Sequence, residues 1–170
     1  MHLDVFKNRI LPLKDQLFRF AMRILNDTNE TEDILQDAML KIWSKRVEWE
    51  HIDNIEGYCY RMVKNLVWDR IQSKDYQNES YEVQMHDKLD VENPFSTLIQ
   101  EEQIKFIHKL INELPEPQRS AMQLRDIEGL PYIEIAEILD TSESQVKNHL
   151  FRGRKRIKQL FEEIYNYEQS

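Results

Sequence analysis

Six cations crowd a short stretch near the C-terminal end of this chain: Lys147, Arg152, Arg154, Lys155, Arg156 and Lys158 lie between Gln145 and Leu160, with no Asp or Glu among them. Asn148 and Phe151 sit in the same stretch. Cations at this density neutralise phosphates, and an amide beside them can meet a base edge, so the chemistry suits a duplex nucleic acid. A second set lies far upstream, where Tyr58, Arg61, Asn65, Trp68 and Gln72 recur at spacings of three and four, flanked by Lys64 and Arg70. Rings to stack on, amides for base edges and cations for phosphates are what unstacked bases require. The loop before it, 47 to 55, adds Trp49, His51 and Asn54, which could pocket an extruded base. Each set has a plainer reading: the basic stretch as a solvated amphipathic face, and Tyr58 and Trp68 as core aromatics of a small bundle. Pattern alone leaves both open at the upstream set.

The elements that must position these residues are helices. Ile135, Ala136 and Leu139 give a first helix from about Tyr132 to Leu139 a buried side, with Glu134 and Glu137 outside. Asp140 and Thr141 follow as a turn, where Asp tolerates a left-handed backbone better than most residues do. Ser142 and Gln145 have capping-box spacing for a second helix, which Val146 and Leu150 pin inward. Helix, tight turn and basic helix together are the layout of a groove-reading motif.

In the N-terminal part, Phe6, Ile10, Leu13, Leu17, Ala21 and Ile24 recur at helical spacing, with Pro12 marking a kink or a restart. Caps in the run from Asn26 to Asn29 predict a second helix over about 31 to 46, its core side made by Leu35, Ala38, Met39 and Ile42. Asp33, Gln36, Asp37 and Leu40 share the opposite face, and a leucine among exposed acids suggests a docking surface. A third helix, about 56 to 74, has Cys59, Val63, Leu66 and Val67 as its core stripe. The single cysteine is therefore expected to be a small core residue rather than a nucleophile.

Net charge is −8 over 170 residues, and its distribution matters more than its sum. Basic and acidic residues balance over 1 to 74, whereas 75 to 98 holds Lys88 against Asp75, Glu79, Glu82, Asp87, Asp90 and Glu92. The basic helix is a positive patch on an acidic body, so affinity for free DNA should be weak and borrowed from a partner. The segment 75 to 98, with Asn93-Pro94, reads as an acidic linker. The fold class expected is all-α: an N-terminal helical bundle over 1–74 and a C-terminal helix-turn-helix bundle over 99–170. No apolar run approaches a membrane span and the N-terminus lacks the apolar core of a signal peptide, so a cytoplasmic protein without membrane insertion is expected. His2, His51, His86, His108 and His149 are scattered without metal-ligand spacing and there is no glycine-rich phosphate loop. No catalytic residue, metal or cofactor is nominated, and an enzyme is not expected.

LFRFAMRILNDTNETEDILQDAMLKIW, GYCYRMVKNLVWDRI and LINELPEPQRSAMQLRDIEGLPYIEIAEILDTSESQVKNHLFRGRKRIK resemble, in order, regions 2 and 4 of bacterial RNA polymerase sigma factors, and the compact arrangement resembles the extracytoplasmic-function group. The resemblance covers nearly the whole chain outside the linker. It implies core RNA polymerase and promoter DNA as partners. Asp33, Gln36, Asp37, Leu40 and Trp43 would dock on the polymerase clamp. Trp49, His51, Asn54, Tyr58, Arg61, Asn65 and Arg70 would meet the −10 element. Gln145, Lys147, Asn148, Phe151 and Arg152 would read the −35 groove, with Arg125, Arg154 and Arg156 near phosphates. It also implies contact of the second domain with the polymerase flap and regulation by an anti-sigma factor. Tyr58 and Cys59 stand where the family usually has Trp-Leu, Asp140 where it has Gly, and Gln145 where Thr is frequent. A stand-alone helix-turn-helix regulator, with an N-terminal sensing or dimerisation domain, is the rival reading; it leaves the face at 58 to 72 unexplained. Whether the two domains pack together, covering the basic helix, stays open from sequence.

Overall fold

The computed structural model describes residues 1–77 and 98–169, all of it helix and turn among the described residues. The segment read as a linker lies outside the described residues except at its two ends. The N-terminal unit opens with a short helix α1, His2–Val5, which passes through a π-turn, Phe6–Ile10, and a 3-10 turn, Leu11–Leu13, into α2, Lys14–Leu25. Pro12 lies in that 3-10 turn, where its missing N–H costs nothing at the start of a new helix, so the sequence alternative of a restart is the one realised. Asn26 at φ 52° closes α2, and Asp27 caps α3, Thr28–Ser44, by accepting from the Glu30 N–H at 3.0 Å. A cap of this kind contributes about 1 kcal/mol. After a 3-10 segment, Arg46–His51, Asn54 Oδ1 accepts from Gly57 N–H at 3.0 Å and starts α4, Ile55–Gln77.

The second unit holds α5, Leu98–Asn112; α6, Glu116–Met122, continued by a π-turn over Gln123–Ile127; α7, Tyr132–Ile138; and α8, Glu143–Gln169. Gly129 turns the chain before α7 at φ 74°, a conformation that disfavours any Cβ. Asp140 at φ 53° makes the tight turn between α7 and α8, as its tolerance for that region predicts. Gly153 is buried, and a Cβ there would lie 3.0 Å from Met122 Sδ, so its absence lets α8 approach α6 closely. α8 runs eleven residues past Lys158, the last cation of its basic stretch, and Ile138, placed on no face from sequence, is only 1% exposed.

The two units pack against each other. Buried apolar side chains run continuously from Ile10, Leu17 and Phe20 through Tyr60 and Val67 to Leu124 and Ile135. The seam sets α2 against α6 and its π-turn, and α4 against α7. Two arginines of α2 fasten it. Arg19 holds Glu128 through a two-bond fork at 2.7 and 2.9 Å. Arg23, 8% exposed, donates to Gln123 Oε1 at 2.9 Å, Asn112 Oδ1 at 2.7 Å and His108 Nδ1 at 2.6 Å. The seam leaves the basic face of α8 exposed; the sequence alternative in which packing would cover that helix is not what is seen.

Candidate nucleic-acid and polymerase interfaces

The reading helix is built as its sequence demands. Ser142 Oγ accepts from the Gln145 N–H at 3.1 Å, which satisfies a backbone donor in the first turn of α8. Val146 and Leu150 are 0% and 1% exposed, which turns Gln145, Lys147, Asn148, Phe151 and Arg152 outward. Phe151 is 67% exposed, a large apolar ring kept in solvent beside cations. Arg154 is forked onto Asp126, its Nε 3.1 Å from Oδ2, and that bond holds the guanidinium above its ordinary pKa. Arg156 reaches Glu163 only at 3.9 Å. Arg125 arrives from the π-turn before α7, where it donates to the Leu130 carbonyl at 2.9 Å and lies over the Tyr132 ring. A groove of about 470 Å³ is lined by Tyr132, Lys147, Leu150, Phe151, Arg154, Lys155 and Lys158. Tyr132 was not singled out by sequence; it continues the Ile135-Ala136-Leu139 stripe of α7 and is partly buried against the core, and its ring also lines this groove.

The upstream set divides. Asn65 is exposed, and Arg61 and Trp68 are half-buried on the same side of α4. Tyr58 leans on the core, its hydroxyl buried without a hydrogen-bond partner among the described residues and its pKa raised by that burial, then by Glu48. His51 is exposed, while Asn54 spends its side-chain oxygen as the cap of α4. Trp49 must be corrected: it is 7% exposed, stacked 6.5 Å from Phe6 and edge-on to Trp43 at 6.2 Å, so its ring is a wall of the N-terminal core and closed to a base. Arg70 is likewise drawn inward, 2.6 Å from Glu30, whose carboxylate is held below its usual range by Lys74 and Arg70. That ion pair ties α4 to α3. Cys59 is 0% exposed and burial pushes its thiol up to about 12, which leaves no thiolate for chemistry near neutrality.

On α3, Asp33, Gln36, Asp37 and Leu40 all face solvent, with Leu40 69% exposed. Trp43 is half-buried against Phe6, its ring under the Arg46 guanidinium at 4.9 Å. Beside them runs a groove of about 650 Å³ between α2 and α3, floored by Phe6, Leu11, Phe18, Leu35, Met39 and Leu40 and edged by Lys14, Glu32 and Gln36. Sequence placed only Gln36 and Leu40 on this face. The signal for the rest was present in Leu11 and Phe18, seven apart and off the Leu17-Ala21-Ile24 core stripe.

A capped helix-turn-helix with an exposed cationic face, joined to a bundle with an exposed acidic and apolar face, fits a two-unit DNA-binding factor that works with a protein partner. The family models for Sigma-70 region 2 and Sigma-70 region 4 match residues 10–76 and 107–157. RNA polymerase sigma factor SigZ of Bacillus subtilis (strain 168) is 30% identical over 139 residues, 81% of this chain and 76% of that protein. The extracytoplasmic-function factor SigW of the same organism is 26% identical over 170 residues, 95% of this chain and 91% of that one. Among solved structures, the sigma factor RpoE in complex with the anti-sigma factor NepR from Bartonella quintana has a similar fold, with a TM-score of 0.73 at 21% identity, covering 94% of this chain and 98% of that one. CnrH in complex with the cytosolic domain of CnrY matches with a TM-score of 0.65 at 15% identity, over 92% and 87%. The chain belongs to the RNA polymerase sigma factors of the extracytoplasmic-function group. It is a promoter-directing transcription initiation factor.

Proposed function

We propose that this chain divides promoter recognition between two units, 1–74 and 99–170, on a connection over 75–98. In the first, α3 presents Asp33, Gln36, Asp37, Leu40 and the rim of Trp43 to the clamp of core RNA polymerase, while His51, Arg61, Asn65 and Trp68 meet the unstacked −10 strand. In the second, Gln145, Lys147, Asn148, Phe151 and Arg152 enter the −35 groove, and Arg125, Arg154 and Arg156 meet phosphates. The supporting observation is the pairing of a free cationic face on α8 with a net charge of −8. Such a body is repelled by free DNA at long range, so two weak recognitions gain affinity when polymerase holds them together. No hydrolytic step enters: bases captured on rings and amides offset the cost of unstacking. The protein works in the cytoplasm, and an anti-sigma partner would act by covering the α3 face; RpoE is solved in complex with the anti-sigma factor NepR, and CnrH with the cytosolic domain of CnrY.

Transcription from a promoter library by core polymerase, with and without the chain, tests this. Discrete new start sites are expected. No start sites, together with polymerase binding no tighter than that of an unrelated acidic protein, removes the proposal. A stand-alone regulator would instead bind specific duplex without polymerase.

A further inference from the structure

Tyr132 opens α7 at the point where two cations from separate elements of the chain converge. The Arg125 guanidinium lies 4.5 Å from its ring centroid and the Lys147 ammonium 5.5 Å. Arg125 comes from the π-turn after α6 and Lys147 from the first turns of α8, so no single helix fixes their relation to each other. The ring also lines the groove into which Arg154, Lys155 and Lys158 project. Asp126 sits close by, but its carboxylate is committed to Arg154. Clustered cations repel and scatter into solvent unless something negative lies between them; the face of an aromatic ring supplies that without forming an ion pair that DNA would have to break.

We propose that Tyr132 is a positioning residue of the duplex-reading unit: its ring holds Arg125 and Lys147 together so that both reach phosphates of the same backbone. This rests on the second unit reading duplex DNA. It extends that reading to a side chain outside the basic face of α8, at the N-terminal end of the α7 stripe, where it is partly buried against the core. Without the ring, both cations remain but lose their shared orientation, and each phosphate contact becomes intermittent.

The test uses the full chain and a mixed-sequence duplex of about 30 base pairs, with affinity followed as salt is raised. Each phosphate contact contributes about 0.9 to the slope of log K against log salt. Tyr132→Leu is expected to weaken binding about fivefold at low salt and to flatten the slope by about one to two contacts, with thermal stability close to wild type. Tyr132→Phe, which keeps the ring, is expected to stay within about twofold. Arg125→Ala should cost much less in the Tyr132→Leu background than alone, because the two act as a unit. Additive losses in that cycle, or an unchanged salt slope, would overturn the proposal, as would Tyr132→Phe falling as far as Tyr132→Leu. If the wild-type chain shows no salt-dependent duplex binding even when assembled with core polymerase, the reading of the second unit falls with it. If the wild type binds normally and only the Tyr132 results fail, the reading of the unit stands and the role of Tyr132 does not.

Discussion

At the scale of single residues, the division between core and reading positions is set by one helical step. On α8, Val146 and Leu150 are sealed while Lys147 and Phe151, their chain neighbours, stand in solvent. Arg152 is exposed and carries no ion pair among the described residues, unlike Arg154, so its hydrogen-bond donors are free for a base edge. Arg152→Ala is therefore expected to weaken promoter duplex binding by about 1–2 kcal/mol, roughly five- to thirtyfold, with polymerase affinity unchanged. Affinity for core polymerase and for a promoter duplex, measured separately, checks this; equal loss of both would indicate damage to the fold. Trp49 shows the opposite outcome. The loop that carries it folds back on α1 and α3, and a residue typed for stacking on a base stacks on Phe6 instead.

At the scale of elements, α3 is a helix with two different sides. Ile34, Leu35, Ala38 and Ile42 are at most 4% exposed, and the opposite side presents acids around Leu40. The groove beside it between α2 and α3 extends that apolar point into a surface large enough to seat a helix face. Burying Leu40 in a partner would contribute about 1–2 kcal/mol. Leu40→Ala is expected to weaken core polymerase binding about five- to thirtyfold while shifting the melting temperature by no more than about two degrees, since the residue supports no internal packing. A titration of labelled chain against core polymerase, with a parallel melting curve, decides it; a large drop in melting temperature would place Leu40 in the fold rather than in an interface.

At the scale of the whole molecule, the two units are closed on each other. Elements centred about 25 base pairs apart lie about 85 Å apart along a duplex, whereas a compact chain of 170 residues has a radius of gyration of only about 15–16 Å. Reading both elements at once therefore requires the seam to part. Its chemistry suits parting. Arg23 is buried against neutral acceptors with Arg119 nearby, and desolvation lowers its pKa to about 10. Because arginine only donates, His108 Nδ1 must accept, so the ring is neutral when the seam is closed; burial and then Arg23 lower its pKa below 6.5. The contribution of His108 is therefore fully present above about pH 6.5 and is lost as pH falls through the depressed value. Distances between probes on α3 and α8 should lengthen between about pH 7.5 and 5.5 in the wild type, with helix content retained. In Arg23→Ala they should already be long at the higher pH. Unchanged distances in both proteins would remove the seam as a point of opening.

The helices, the turn at Asp140, the caps at Asp27 and Ser142, the inertness of Cys59 and the basic face of α8 were legible in the sequence, because each follows from local geometry: side-chain periodicity, backbone tolerance and the hydrogen-bonding reach of a short polar side chain. The family resemblance rested on the same local patterns read in order. What the sequence left open concerned which surfaces meet across the chain. Burial of Trp49, the pairing of Arg70 with Glu30, the cations gathered on Tyr132 and the Arg23 seam all join residues from separate elements, and helical periodicity carries no information about which exposed face another element will cover. Periodicity also placed Phe18 outside the core stripe, but only the packing of α2 on α3 made it part of a groove. Sequence determined what each helix could do; tertiary packing decided which side chains remained free to do it, because a side chain already held by a neighbour is not available to a partner.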